Sequence, residues 1–105
     1  MSEKLLKIIN HYEVMHQLKY FQSEVFELNE AIFNYEEQKR VCEQCCNNLH
    51  CDKEREHIAE ELADVEVMLL QFKEYYHIDG NEILKIMNKK IERQLKRMEG
   101  EKNGK

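Results

Sequence analysis

The 105-residue chain has no proline and only three glycines, and two of those, Gly100 and Gly104, fall in its last six residues. Without turn formers spread along it, a sheet of short strands and tight turns is excluded and long helices are expected. No basic block precedes the C-terminal helix, and the formal net charge is −5. That balance argues against duplex nucleic acid as a partner. Long apolar runs are missing too. Met1-Ser2-Glu3-Lys4 leads into an amphipathic stretch, so neither a leader peptide nor a membrane span is expected. A cytoplasmic location follows as the expectation, with the four cysteines kept as reduced thiols or metal ligands.

Charged residues make up 35% of the chain. Apolar residues recur at spacings of three and four, the mark of helices with one buried face. The pattern predicts helices over 3–15, 16–40, 53–77 and 81–99. The second has a seam of Leu18, Phe21, Val25, Leu28, Ile32 and Tyr35. The third has one of Ile58, Leu62, Val65, Leu69, Phe72 and Tyr76, and the fourth one of Leu84, Met87, Ile91, Leu95 and Met98. Ile78-Asp79-Gly80-Asn81 reads as a turn with Asp79 or Asn81 as cap. The expected architecture is all-α: a four-helix protomer in one domain over 1–99, with a Cys-rich connector at 41–52 and a polar tail at 100–105. A chain this short buries a modest core, so a homo-oligomer is expected.

Two acidic stretches stand out on the middle helices. Glu24 and Glu27 lie three residues apart, as do Glu61 and Asp64, so each pair points to nearly one side. Glu24 and Glu27 fall just beside the second helix's seam, whereas Glu61 falls inside the third's, with Asp64 at its edge. A carboxylate within an apolar stripe breaks the local pattern, and such breaks tend to mark function. The connector makes the two helices neighbours in a bundle. Four converging carboxylates repel one another unless a cation lies among them. Oxygen ligands of this kind suit Mg²⁺, with Mn²⁺ as the alternative. Such a nest would polarise a phosphoryl oxygen for attack by water. Glu60 would orient that water or a second metal, and Lys90, with Arg93 or Arg97, would neutralise the departing phosphates.

These residues resemble a known family. Glu24-x-x-Glu27 followed by Glu61-x-x-Asp64 within Glu-Glu-Leu-Ala-Asp-Val is similar to the motifs of MazG-like nucleoside triphosphate pyrophosphohydrolases. Ala31-Ile32 and the run Asn88-Lys89-Lys90-Ile91-Glu92-Arg93 fit as well. The likeness spans about residues 17 to 98. It implies an all-α bundle assembled as a homodimer or homotetramer. It also implies Mg²⁺-dependent hydrolysis of a nucleoside triphosphate to monophosphate and pyrophosphate, in the service of clearing unwanted nucleotides. By position the metal ligands would be Glu24, Glu27, Glu61 and Asp64, and Lys90 would contact phosphate. The chain departs from the family at Ser23, where an acid is common, at Gln94, where a second base is common, and in its long connector.

Cys42, Cys45, Cys46 and Cys51, with His50 alongside, form one compact cluster. They match half of a structural Zn²⁺ signature, and free thiols on a variable loop is the favoured reading. His11, His16, His57 and His77 read as surface or rim residues. Two other readings of the whole fit the same residues: a non-enzymatic helical interaction module, and a degenerate family member that binds nucleotide without turnover.

Overall fold

A computed structural model describes residues 2–45 and 51–103, with the side chains of 2–41 and 52–102. Four helices follow one another: α1 (Ser2–Tyr12), α2 (Val14–Cys45), α3 (Cys51–Tyr75) and α4 (Gly80–Asn103), with no strand among the described residues. The all-α expectation therefore holds. The side chains of Cys42, Cys45, Cys46, His50 and Cys51 lie outside the described residues, and with them the expected thiol cluster.

α1 and α2 meet at a single residue. Glu13 takes a left-handed φ of 71°, while its N–H still bonds Ile9 O and its C=O still accepts from Gln17 N. The chain thus changes direction without leaving backbone groups unpaired. The expected first helix, 3–15, ends earlier because no Gly or Pro is needed when Glu13 adopts this conformation. α2 runs on to Cys45 and α3 begins at Cys51, so the helices enter the stretch expected as connector.

α2 and α3 form the central hairpin. Inward positions on α2 are Val14, Gln17, Phe21, Glu24, Leu28, Ala31 and Tyr35, all buried or half-buried. Those on α3 are Ile58, Glu61, Val65, Met68 and Phe72. Both follow a strict three-four alternation, as in a coiled coil. Phe21 and Phe72 meet edge to face with centroids 5.7 Å apart, a contact worth about 1 kcal/mol. α1 closes one end of the hairpin with Leu5 and the fully buried Ile9.

α3 ends in a capped turn. His77, at φ 55°, takes the left-handed position, Ile78 N donates to Lys73 O and His77 N to Glu74 O. These two bonds make a Schellman motif. Asp79 then caps α4: its carboxylate accepts from Asn81 N at 3.3 Å and its C=O from Ile83 N. Gly80, expected within the turn, is instead the first residue of α4, and His77 supplies the left-handed bend.

α4 stands apart from the other three helices. Among the described residues its packing on α1–α3 is marginal, and every described side chain except half-buried Ile83 is exposed. The seam Leu84, Met87, Ile91, Leu95 and Met98 faces solvent. The radius of gyration is 18.3 Å, against about 13 Å for a compact chain of 100 residues. One copy of the chain builds a three-helix unit and an outlying fourth helix.

Candidate metal centre

The hairpin register decides what meets across the seam. Gln17 pairs with Gln71. Seven residues on along α2 and seven back along α3 are Glu24 and Asp64, two helical turns away in each case. Glu24, Glu61 and Asp64 each place a carboxylate oxygen so that all lie within 4.8 Å of one another. Glu24 is 6% exposed and Glu61 9%, whereas Asp64 faces the opening.

Glu24 Oε2 and Glu61 Oε2 are buried with no hydrogen-bond partner. A buried carboxylate oxygen left unpaired is costly, and here two lie in one cluster. Desolvation raises the Glu61 pKa above 4.5, and the charges of Glu27, Asp64 and Glu24 push the same way. His57 Nε2, 3.9 Å from Glu61 Oε1, opposes this and does not reverse it. The Tyr20 phenol is also raised, first by a hydrogen bond to Glu24 and then by that carboxylate's charge. Acceptor-only oxygens, two of them orphaned, fit a hard divalent cation in the gap.

Three of the four expected ligands are thus together. The fourth, Glu27, is exposed at the rim, near enough for its charge to act on Glu61. Glu60 is exposed and shares a helix face with Asp64. Lys90 and Arg93 lie elsewhere, lining a small hollow on α4 with Gln94 and Arg97. None of the charges acting on Glu61 comes from α4.

One placement is corrected. Glu24 was expected beside the seam and lies within it. Counting only apolar residues selects Leu18, Val25 and Ile32, of which Leu18 and Ile32 are exposed. The three-four alternation through Gln17, Glu24 and Ala31 is the inward face. Polar residues at two of its positions hide it from a hydrophobic count. Gln17 was missed for the same reason, and Tyr20 and Gln71, which lie outside these alternations, carry no motif.

A cleft of about 360 Å³ opens beside the acids, lined by Glu24 and Asp64 and continuing past Tyr20 to Gln17, Gln71 and Tyr12. Compared with protein-family models, with curated proteins and with solved structures, the chain matches none.

Proposed function

We propose that the protein is a Mg²⁺-dependent nucleoside triphosphate pyrophosphohydrolase that releases nucleoside monophosphate and pyrophosphate. The observation that carries this reading is the pair of buried, unpartnered oxygens, Glu24 Oε2 and Glu61 Oε2, gathered with Asp64 at the mouth of a cleft. A carboxylate nest with no Lys or Arg paired to it among the described residues, and only His57 3.9 Å from Glu61, is the donor set that Mg²⁺ or Mn²⁺ takes. The motif resemblance supplies the reaction class.

Glu24, Glu61 and Asp64 would hold the cation, and Glu27 would add charge at the rim. When bound, the metal supplies polarisation of a phosphoryl oxygen and a bound water of lowered pKa. Tyr20, four residues before Glu24 on α2, lines the cleft beside it. Glu60, on the same face as Asp64, would orient the attacking water, and a carboxylate of this group would accept its proton. The P–O bond to the pyrophosphate group then breaks in line.

Lys90 and Arg93 would neutralise the departing pyrophosphate once α4 is brought against an acidic site. That requires assembly, because one copy leaves α4 unpacked. A homodimer or homotetramer covers the exposed seam of α4 and the exposed stripe of Leu62, Leu69 and Tyr76 on α3.

Those same apolar faces favour a second reading, an interaction module or a nucleotide-binding chain without turnover. Thermal melting with added Mn²⁺ separates a metal site from a merely solvated acidic face. A ligand at a hundredfold excess over its Kd stabilises by about 2.7 kcal/mol. The proposal predicts a gain of that order with wild type and none with Glu61→Gln. No gain with wild type would remove the metal site and the reaction with it.

A further inference from the structure

Gln17 and Gln71 are the least expected residues in the hairpin. Gln17 sits at an inward position where a coiled-coil seam takes Leu, Gln71 borders the α3 seam beside Phe72, and both are buried. Gln17 Nε2 donates to Gln71 Oε1 at 2.8 Å, and His16 Nδ1 lies 3.1 Å from Gln17 Oε1. Among the described residues, Gln71 Nε2 has only the Met68 sulfur, 3.6 Å away. Thioether sulfur is a weak acceptor, so this buried donor is poorly used. Both amides line the cleft that runs on to Glu24 and Asp64.

The rest of that cleft is aromatic and apolar. Tyr12 and His16 stack with ring centroids 5.3 Å apart and planes at 18°, and Ile8, Tyr20 and Val67 complete the wall. Flat apolar walls, a polar floor with a spare donor, and a carboxylate cluster at the far end form a graded site. Gln17 and Glu24 are about 10 Å apart along α2, a separation that a ribose bridges between a base and its phosphates.

We infer that this cleft receives the base of the nucleotide, stacked beside Tyr12, with the Gln17–Gln71 pair reading its edge. Gln71 Nε2 would donate to a carbonyl oxygen or ring nitrogen of the base in place of Met68 Sδ. Gln17 and Gln71 are then specificity-determining residues, and Tyr12 provides the stacking surface. The inference rests on the proposed function for the placement of the phosphates at the acids.

The test is equilibrium titration of the full chain, with Mg²⁺ present, by AMP, GMP, CMP, UMP and base-free ribose 5-phosphate. Wild type is expected to bind at least one nucleotide about tenfold more tightly than ribose 5-phosphate, the worth of one or two added hydrogen bonds. Gln17→Leu/Gln71→Leu replaces both partners at once and so strands no buried amide. It is expected to bring the four nucleotides to within about twofold of one another, because the edge reading is gone while the stacking on Tyr12 remains. Tyr12→Ala changes an exposed residue and leaves the core intact; it is expected to weaken nucleotide binding about fivefold or more through lost stacking, with ribose 5-phosphate unaffected. Equal binding of base-bearing and base-free ligands by wild type would overturn the inference, as would selectivity retained in both variants. Base-selective binding without pyrophosphate release would contradict the proposed reaction and leave the cleft standing. Release without base selectivity would do the reverse.

Discussion

Glu24 Oε2 and Glu61 Oε2 are buried without partners, and at the scale of single residues this is where the fold is least comfortable. The raised Glu61 pKa has a sign that can be worked through. A carboxyl whose folded pKa exceeds its unfolded value, about 4.5, leaves the folded state binding more protons across the window above 4.5. Stability is therefore full below that pH and falls as pH rises through the shifted range. Glu61→Gln removes the charge and keeps the shape. Without metal, the variant is expected to melt higher than wild type at neutral pH, the difference shrinking toward pH 4.5; melting curves across pH check this. Equal melting at every pH would mean that the carboxylate is not strained. Glu61 was legible in the sequence because a charge stands inside an apolar stripe. Glu24 was legible as a motif member but not as a buried residue, since its neighbours on the inward face are Gln17 and Ala31 and give no hydrophobic signal.

Each helix was legible from its spacing, and the ends were less so. The α1–α2 junction depends on Glu13 at φ 71° and the α3 terminus on His77 at φ 55°. Neither residue type announces a left-handed bend, a conformation glycine takes without strain. His77→Gly is expected to stabilise α3's cap by several tenths of a kcal/mol up to about 1, because glycine has no Cβ to crowd there; chemical denaturation measures it. Asp79→Ala removes the α4 cap and is expected to cost about 1 kcal/mol. Because α4 is unpacked in one copy, that loss should appear as helix signal lost from α4 in circular dichroism of dilute protein, with the α2–α3 hairpin intact. A cooperative loss of the whole fold would show that α4 is packed after all.

The whole molecule exposes more surface than a chain of its mass should. The accessible area is 8981 Å², against about 6,300 Å² for a compact monomer, an excess of roughly 2,700 Å² per chain. Covering such an excess in two copies corresponds to an obligate homodimer interface, which runs from about 2,000 to beyond 5,000 Å² in total. Sedimentation is expected to give a dimer or tetramer. Ile91→Asp/Leu95→Asp, on the exposed seam of α4, is expected to give monomers and to lower turnover by at least about tenfold, because Lys90 and Arg93 would lose the place by the phosphates that is proposed for them. In the sequence, the expectation of a homo-oligomer rests on the small core a 105-residue chain allows. That α4 would stand apart was not legible, since its seam has the same spacing as those of α2 and α3 and differs only in what covers it. The central claim is the reaction at Glu24, Glu61 and Asp64. Pyrophosphate release from a panel of nucleoside triphosphates, with and without Mg²⁺, wild type beside Glu61→Gln, tests it most directly. The account predicts release that requires Mg²⁺, favours one base and disappears in the variant. Release that persists without metal or in Glu61→Gln, or no release from any triphosphate, would contradict it.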